Sequence, residues 1–444
     1  MKVVIVGAGI GGLSTALMLQ RRGMHSTIYE QAAAVREIGV GINTLPHAIC
    51  ELAEIGLLPA LDAVAIRTRE LCYYNRYGQE VWRELRGIEA GHPVPQFSIH
   101  RGRLQRVLHD AVIERLGPDA VKTGLALAGF VEDEGGVTAH FTDSVSGGPA
   151  TTTRGDVLIC ADGIHSAARR KFYPAEGPPK WNGVLMWRGA TEFKPWGDGR
   201  TMAIGGGMGA KLVLYPIAHP AGGRQLMNWV VNIKMADGTA SPPPEESWSR
   251  PAQRAMVLPY ARRFTIPGYD VTALVEATPQ AYEYPMCDRD PLPRWTFGRV
   301  TLLGDAAHPM YPVGSNGASQ AILDARTLAD ALERAEHPRQ ALYAYEAERR
   351  PKTAEVVRLN RKGGPERVID EVEKRAPAGF DSVDDVMTRA ERAAIVGGYA
   401  GTAGFASGEQ KREAATTSGT VSTPRGDHRK PALHPDAATT APSP

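Results

Sequence analysis

The most constraining feature of this sequence is a glycine-rich turn close to its N-terminus. Residues 2–6 form a short, β-branched, almost wholly apolar run, residues 13–20 continue at helical spacing, and the segment GAGIGG lies between them. In such a strand–turn–helix unit Gly7 permits the tight turn, Gly9 lets a pyrophosphate approach the backbone, and Gly12 lets helix and strand pack closely. This order predicts a dinucleotide-binding site with the phosphates at the positive end of the helix.

A second strand is predicted over residues 25–29, and Glu30 stands at its end. A carboxylate in this position accepts hydrogen bonds from ribose hydroxyls and repels a 2′-phosphate, so it disfavours NADP at this site but not FAD or NAD. The alternative interpretation is a glycine-rich turn that binds no ligand. The strand, the helix and the acidic residue, all in place together, favour the dinucleotide site.

Composition narrows the class of protein further. A chain of 444 residues is too long for one small core, and a net charge of +2 gives no reason to expect nucleic acid or an anionic membrane as a partner. Cys50, Cys72, Cys160 and Cys287 are widely separated, so no metal site is predicted. The chain begins with a core strand and holds no apolar run of roughly 18 residues, which predicts a cytoplasmic protein without signal peptide or membrane span.

The patterns along the chain predict an α/β fold: a Rossmann-like cofactor-binding domain with an inserted antiparallel β-sheet and C-terminal helices. The predicted divisions are the first part of the cofactor-binding domain at 1–180, with small strands at 71–100; a substrate-binding sheet at 181–285; the second part of the cofactor-binding domain with its helices at 286–360; a helical segment at 361–407; and a disordered tail at 408–444. The tail is rich in Thr, Ser, Ala and Pro and lacks periodicity.

Local patterns within the insert are also clear. Strands are predicted at 183–193, 201–205, 211–217 and 225–233, followed by a Pro-rich linker at 241–244 and a helical stretch at 245–264.

Two further buried strands end in short polar motifs. An apolar run at 157–161 leads into Asp162 and then Arg169, and another leads into Gly304 and Asp305. Because ligands gather at the carboxyl ends of strands in a parallel sheet, we expect Asp162 and Arg169 to arrive near the first glycine turn.

Three separated motifs therefore stand in order: GxGxxG followed by Glu30, DGxxSxxR from Asp162, and GDAAH from Gly304 followed by Pro312. Together they resemble the single-component (group A) FAD-dependent aromatic monooxygenases, which have the p-hydroxybenzoate hydroxylase fold; the resemblance covers residues 1–360. The segments at 39–43, 186–189, 284–286 and 288–293 look most like the phenazine-carboxylate and salicylate hydroxylase branch.

The resemblance implies a set of residues that bind FAD. They are Gly7, Gly9, Ile10, Gly12, Glu30, Arg36, Val40, Gly41, Arg101, Leu127, Asp162, Arg169, Asp305, Gly314, Ser315, Asn316 and Gly317. Glu30 would hold the adenosine ribose, Arg101 the pyrophosphate or ribityl region, Leu127 the adenine through its backbone, and Asp305 the ribityl hydroxyls. For Arg36 a solvated side chain is the equal alternative.

Other implied roles concern the flavin ring and the nicotinamide nucleotide. The segment 314–317 would aim N–H groups of a helix N-terminus at the flavin N1–C2=O edge, where reduced flavin is negative. Pro312 would lie over the ring system, and the motif from Asp162 to Arg169 would serve both FAD and NAD(P)H. Many relatives have Gly-Gln-Gly where this chain has Ser315-Asn316-Gly317, and p-hydroxybenzoate hydroxylase has an arginine near the position of Val40.

The implied reaction is aromatic hydroxylation. Reduced FAD would react with O2 to give a flavin hydroperoxide that oxygenates an electron-rich ring, and NAD(P)H would visit as a transient co-substrate because the chain has only one dinucleotide fingerprint. Arg188 is a candidate partner for a substrate carboxylate, with a solvent-facing or structurally paired arginine as the equal alternative. Tyr215 and Trp229 are expected in the sheet core, and His308 in a structural hydrogen bond.

Two rival functions remain open from the sequence. An FAD-linked dehydrogenase or reductase that does not use oxygen would share the glycine turn and Glu30 but would not need the segment from Pro312 to Gly317 over the flavin. A flavin-binding regulator without turnover is the non-enzymatic alternative. Among hydroxylase substrates, N-heteroaromatic carboxylic acids and salicylate-like phenols are both compatible, with simple or decarboxylative hydroxylation.

Overall fold

The computed structural model describes residues 1–35, 37, 39–238 and 250–406. The strands in this part of the chain are β1 (Lys2–Val6), β2 (His25–Tyr29), β3 (Gly41–Thr44), β4 (Ile66–Thr68), β5 (Glu70–Tyr74), β6 (Glu80–Leu85), β7 (Gln96–His100), β8 (Val121–Lys122), β9 (Leu125–Asp133), β10 (Gly136–Asp143), β11 (Pro149–Gly155), β12 (Val157–Cys160), β13 (Lys180–Phe193), β14 (Thr201–Gly205), β15 (Ala210–Pro216), β16 (Gln225–Lys234), β17 (Pro251–Ala252), β18 (Ala281–Asp288), β19 (Thr296–Phe297) and β20 (Val300–Leu302).

The helices of the same residues are α1 (Ile10–Arg21), α2 (Pro46–Glu54), α3 (Leu58–Asp62), α4 (Arg101–Leu116), α5 (Ala167–Phe172), α6 (Arg254–Ala261), α7 (Val271–Glu276), α8 (Gly317–Arg334), α9 (Pro338–Arg361), α10 (Arg367–Arg375), α11 (Val383–Val386) and α12 (Arg389–Ala403). Short 3₁₀ turns include Gly304–Ala306, Val313–Ser315 and Gly364–Glu366. Within the described residues, no helix combines the length and the apolar character that crossing a bilayer requires.

A parallel sheet forms the centre of the first unit. Its order is β19-β20-β12-β1-β2-β8, and β1 pairs in parallel with both β12 and β2. Val3, Val4 and Ile5 are wholly shielded from solvent because helices and loops cover both faces of the sheet. The predicted α/β class and the predicted strands of this sheet are confirmed, and the carboxyl ends of β1, β12 and β20 lie side by side.

A second, larger sheet has the order β17-β18-β13-β16-β15-β14-β5-β6. Most neighbours are antiparallel, as expected, but β14 pairs with β5 in parallel. The strands β5 and β6, which the sequence pattern placed with the cofactor-binding domain, therefore extend the inserted sheet. Their pairing partner lies some 130 residues further along the chain, so no local pattern signals it; the domain boundaries themselves stay a prediction.

One face of this large sheet packs in an apolar core, and the other borders a cavity. Trp187, Trp229, Leu212 and Leu214 point to one face, where α6 and α7 cover them in an apolar core. The residues of the other face alternate with them and border a cavity, because successive side chains along a strand point in opposite directions. Trp229 is thus in the core, as expected, and Tyr215 is buried in a second apolar cluster on the face that borders the cavity.

Several local expectations differ from the structure. The helices α2 and α3 are separated at Gly56, which adopts a φ of 78°. The helical stretch expected at 245–264 contains a two-residue strand, β17, before α6. The linker at 241–244, residues 245–249, Arg36 and the tail at 408–444 lie outside the described residues.

Candidate active site

One cavity of about 410 Å³ lies between the ends of the parallel strands and the open face of the large sheet. This volume is in the ordinary range for small-molecule sites, about 300–1,000 Å³. The predicted site residues that line it are Gly9, Ile10, Val40, Gly41, Arg101, Arg188, Asp305, Pro312, Gly314, Ser315, Asn316 and Gly317. Residues separated by three hundred positions in the sequence thus border one space.

The glycine turn is packed as tightly as its sequence predicts. Gly7 has a φ of 99°, and a Cβ atom placed on it would lie 2.4 Å from the carbonyl oxygen of Ala161. A Cβ on Gly12 would lie 2.0 Å from the carbonyl oxygen of Gly7, so α1 sits directly against β1. A Cβ on Gly9 would meet no protein atom within 4 Å. Gly9 alone of the three therefore faces open space where a phosphate has room.

Two carboxylates flank this turn. Glu30 accepts hydrogen bonds from the backbone N–H groups of Ala8, at 2.7 Å, and Ala32, at 2.8 Å. Asp162 accepts one from Ala167 N–H at 2.8 Å through Oδ2, while its buried Oδ1 has no partner among the described residues. Burial raises the pKa of Asp162 above its ordinary value. An unpaired acceptor beside the glycine turn fits a ligand that brings hydroxyl donors.

Arg169 is one of several predicted residues that do not line the cavity, with Gly7, Gly12, Glu30 and Asp162. It is 1% exposed and does not line the cavity. Its guanidinium pairs with Glu176 and donates to the carbonyl oxygens of Ala306, at 3.1 Å, and Ala307, at 2.9 Å. Because these donors are engaged inside the protein, Arg169 joins β12 to the loop after β20; a direct contact with nucleotide stays a prediction. Leu127 also lies outside the cavity lining, on β9.

Asp305 and Arg101 face each other across the cofactor side of the cavity. Both expose their side chains to the cavity while protein surrounds them on the remaining sides. Burial raises the pKa of the Asp305 carboxyl, against the opposing effect of the charges on His308 and Arg101. Arg101 is the first residue of α4, and its backbone N–H donates to Val40 at 2.9 Å. Asp305 therefore presents a carboxylate that a ligand rich in hydroxyl groups satisfies.

A buried network of hydrogen bonds and ion pairs holds the loop that follows β20. Asp324 on α8 accepts from Gly304 N–H at 3.1 Å and contacts His308 Nε2 at 2.5 Å and Arg349 Nε at 2.7 Å. Burial alone would raise the pKa of Asp324, but His308 and Arg349 together lower it to about 2. His308 thus has the structural role expected of it.

The loop before α8 has an unusual backbone. Gly314 has a φ of 64°, and Ser315, at 59°, is the sole non-glycine residue with a positive φ within the described ranges. Asn316 donates through Nδ2 to the carbonyl oxygen of Gly314, at 3.0 Å, and to the hydroxyl of Tyr399, at 2.8 Å. Tyr399 in turn donates to Asn360 Oδ1 at 2.7 Å. The C-terminal helix α12 therefore fixes a loop that sequence reasoning assigned to the flavin.

Gly41 joins the cofactor side of the cavity to the large sheet. Its N–H donates to Asn228 Oδ1 at 2.7 Å, and its carbonyl oxygen accepts from Tyr215, at 2.8 Å, and from Arg188. Arg188 also donates to the hydroxyl of Tyr284 at 2.6 Å. Sequence reasoning missed the roles of Tyr215 and Asn228, although strand alternation places Tyr215 on the cavity face with Arg188.

These features agree with an FAD site. The helices α1 and α8 have no side-chain cap at their N-termini, so their first N–H groups remain available at the cavity edge. Gly9 leaves room for a pyrophosphate, and Asp305 on the cavity wall supplies an acceptor for hydroxyl groups. The unpartnered Oδ1 of Asp162 is buried next to the lining residues Ala161 and Gly163. The described residues therefore hold the donors, acceptors and space that a flavin dinucleotide requires.

Comparison with known proteins gives independent evidence. Residues 1–360 match the family described as FAD binding domain. The chain is 45% identical over 363 residues to a phenazine 1,6-dicarboxylic acid hydroxylase of Lysobacter antibioticus, covering 81% of this chain and 89% of that one. It is 33% identical over 371 residues to a 3-amino-4-hydroxybenzoate 2-monooxygenase of Streptomyces platensis, covering 82% and 88% of the two chains.

A solved structure shares the fold. The Klebsiella pneumoniae protein HpxO, crystallised with FAD and uric acid, superposes with a TM-score of 0.71 at 24% sequence identity, covering 91% of this chain and 97% of that one. At this identity the likeness establishes the fold alone. It confirms the predicted fold class.

Proposed function

We propose that this chain, which belongs to the FAD-binding-domain family of flavin-dependent aromatic hydroxylases, hydroxylates a fused-ring N-heteroaromatic carboxylic acid. As a member of that family it is an FAD-dependent monooxygenase that uses NAD(P)H and O2. The names of both relatives describe oxygenation, which sets aside the oxygen-independent dehydrogenase. The identity of the substrate and the role of each site residue are the proposal.

The observation that carries the proposal is the environment of Arg188. Its guanidinium borders the cavity, and the acceptors that its hydrogen bonds reach are the Tyr284 hydroxyl and the Gly41 carbonyl oxygen, both uncharged. No ion pair joins it to a carboxylate within the described ranges, and its Nε has no partner there. A cation without a counter-charge in a shielded cavity attracts an anionic substrate group, and a carboxylate matches the planar guanidinium.

The remaining walls near Arg188 are apolar or aromatic. Met186, Val230, Tyr284 and Met286 belong to one cluster of buried side chains that borders the same cavity. The tyrosine ring and the polarisable methionine side chains can pack against an aromatic ring system, and the apolar wall excludes water from it. The expected substrate therefore has a carboxylate at one edge and a planar apolar body.

A second set of residues binds and orients FAD. We assign FAD binding to the residues of the glycine turn, Glu30, Arg101, Asp305 and the segment 314–317, with Asp162 as an acceptor for its hydroxyl groups. The chemistry supplied by bound FAD is delivery of one oxygen atom of O2 to the ring, with electrons from NAD(P)H and water as the second product. The task of the chain is to hold the substrate ring against the cofactor and to keep water out.

The names of the relatives support a carboxylated substrate. One relative is named for a phenazine dicarboxylic acid and the other for a hydroxybenzoate that carries an amino group. Both names contain a carboxylate on an aromatic ring, as Arg188 requires. The fused heteroaromatic ring is favoured because the relative with 45% identity carries that name.

The first experiment screens aromatic acids with the FAD-loaded enzyme. NAD(P)H consumption, O2 uptake and product mass are measured with phenazine carboxylates, salicylate, hydroxynicotinate and the uncarboxylated phenazine. We expect turnover of a phenazine carboxylate, with gain of one oxygen atom or replacement of the carboxyl group by hydroxyl. Equal turnover of the uncarboxylated ring would contradict the role of the carboxylate.

The second experiment removes the anchoring cation. In Arg188→Ala we expect KM for the carboxylated substrate to rise at least about tenfold, because a hydrogen bond to a charged group is lost. Arg188→Lys, which keeps the charge, should recover part of this loss, and Arg224→Ala, at an exposed arginine beside the same sheet, should change nothing. An unchanged KM in Arg188→Ala would remove this residue from substrate binding.

A further inference from the structure

The cavity has a second polar region, away from Arg188. It consists of Glu84, Arg86, Gln96, Lys211, Asn232 and Glu366, which all border the cavity and which we call the far wall. These residues come from the end of β6 and the loop after it, from β7, β15 and β16, and from the 3₁₀ turn Gly364–Glu366. Neither the sequence motifs nor the proposed binding of FAD accounts for them.

The charges of the far wall cancel. Lys211 pairs with Glu366, and each side chain is 5% exposed; Arg86 pairs with Glu84, with side chains 11% and 9% exposed. Each cation thus already has a carboxylate partner, in contrast to Arg188. A second anionic group entering here would meet two carboxylates and no cation that lacks a carboxylate partner, although Arg86 Nε itself makes no hydrogen bond within the described residues. Screening by water is weak in these surroundings.

The far wall also holds unused hydrogen-bond acceptors. Gln96 is 2% exposed and Asn232 is 5% exposed, and neither Gln96 Oε1 nor Asn232 Oδ1 has a hydrogen-bond partner within the described ranges. Buried acceptors without partners are costly, and a ligand that donates a hydrogen bond relieves that cost. This region therefore favours an uncharged N–H or O–H group.

Sheet register fixes how far this region lies from Arg188. Arg188 is opposite Val230, which is opposite Val213, and Lys211 lies two residues before Val213 on the same face. At ordinary strand spacing and rise, the Cα atoms of Arg188 and Lys211 are roughly 12 Å apart. A fused-ring acid is long enough to approach both regions at once.

We propose that the far wall is a specificity subsite that accepts an uncharged hydrogen-bond donor, a hydroxyl or ring N–H, on the edge of the substrate opposite its carboxylate. The subsite distinguishes a monocarboxylate bearing such a donor from a dicarboxylate. The inference rests on the proposed function, since Arg188 must hold the first carboxylate for the far edge to reach the second region.

Binding to the FAD-loaded protein tests this directly. Three ligands on one scaffold are titrated by the change in flavin absorbance and by calorimetry: a phenazine monocarboxylate, the same compound with a hydroxyl on the far ring, and the dicarboxylate. We expect the hydroxylated compound to bind most tightly and the dicarboxylate at least about tenfold more weakly than it, because its second charge is buried without a partner.

Two variants assign the effect to the far wall. Asn232→Leu, which removes an acceptor at similar volume, should abolish the advantage of the hydroxylated ligand and leave the plain monocarboxylate unchanged. Glu366→Gln frees Lys211 and should improve binding of the dicarboxylate by about tenfold, because the second carboxylate gains a cation. The control Glu192→Gln, at an exposed position on β13, should leave the order of affinities unchanged.

The outcomes separate this inference from the proposed function. If all three acids bind equally and Arg188→Ala weakens them all, the proposed function stands and the subsite is wrong. If none of the acids binds, or Arg188→Ala has no effect on them, both fail. Should Glu366→Gln not fold, Asn232→Leu alone decides, since an undiminished preference for the hydroxylated ligand in that variant contradicts the subsite.

Discussion

The two sides of the cavity are built in different ways. The cofactor side consists mainly of backbone groups at strand ends and helix N-termini, with a Cβ atom excluded at Gly7 and Gly12. The substrate side consists of side chains that project from alternate positions of β13, β15, β16 and neighbouring strands. The first depends on backbone geometry, whereas the second depends on which side chains stand on one face of a sheet.

This difference separates cofactor binding, which one fold can provide for many reactions, from substrate selection, which depends on the individual side chains. Backbone N–H groups bind phosphates and flavin edges whatever the neighbouring side chains are, so one frame can serve many reactions. Charge and hydrogen-bonding capacity on the sheet face select the substrate. Gly41 connects the two, because its peptide is held by Asn228, Tyr215 and Arg188 of the sheet while it borders the cofactor side.

The largest change in the free energy of unfolding is expected at Asp324 on α8. In Asp324→Asn the buried guanidinium of Arg349 loses its counter-charge, and the free energy of unfolding should fall by about 3–5 kcal/mol. Because the pKa of Asp324 is lowered to about 2 from 3.8, its stabilisation is present above pH 3.8 and is lost as the pH falls towards 2. Denaturant titrations at neutral and acid pH should show the gap between wild type and variant closing in acid; a constant gap would contradict the assignment.

A matched pair of glycine substitutions tests the backbone argument. Gly12→Ala should lower the free energy of unfolding by about 3 kcal/mol and abolish FAD binding, because the new Cβ meets the Gly7 carbonyl oxygen. Gly9→Ala should leave the apoprotein as stable as wild type and weaken FAD binding alone. Thermal unfolding of the apoprotein and measurement of flavin content distinguish the two variants. Similar losses of stability in both would contradict the steric difference between Gly12 and Gly9.

Asp305 is the side-chain exception on the cofactor side. Its removal in Asp305→Ala takes away an acceptor for hydroxyl groups and should weaken FAD binding by about 2 kcal/mol, roughly thirtyfold, since the lost bonds involve a charged group. The variant should emerge from gel filtration largely free of flavin, by the ratio of flavin to protein absorbance. Asp110→Ala, at an exposed position on α4, serves as the control. Full flavin occupancy in Asp305→Ala would argue against its role.

The smallest effect is expected at the junction, in Tyr215→Phe. The Gly41 carbonyl oxygen loses one donor but keeps Arg188, so the cost should be about 1 kcal/mol. We expect KM for the aromatic acid to rise no more than about fivefold, with flavin content unchanged. Loss of flavin in this variant would show that the sheet side chains also determine cofactor binding.

The strand–turn–helix unit at the N-terminus was predictable from the sequence for a physical reason. A strand, a glycine turn and a helix are local, and the steric need for Gly7 and Gly12 is visible in the residues themselves. The strands of the inserted sheet were also found, with ends within about three residues, since their alternation is local.

The substrate side was predictable only in part. Arg188 was identified, and Tyr215 is buried in an apolar cluster as expected, but its place on the cavity wall was not predicted. Two contacts join elements more than eighty residues apart, and no local pattern encodes them. They are the Lys211–Glu366 ion pair and the hydrogen bond of Tyr399 to Asn316 in the segment 314–317. The parallel pairing of β14 with β5 was missed for the same reason.

We infer that one cavity holds both a flavin site built from backbone groups and a substrate site built from side chains. A crystal structure of the enzyme with FAD and a phenazine carboxylate would test this inference. We expect the flavin ring against the segment 314–317, with the ligand between that ring and the large sheet and its carboxylate on Arg188. A carboxylate bound away from Arg188, or a flavin that does not touch the segment 314–317, would contradict it.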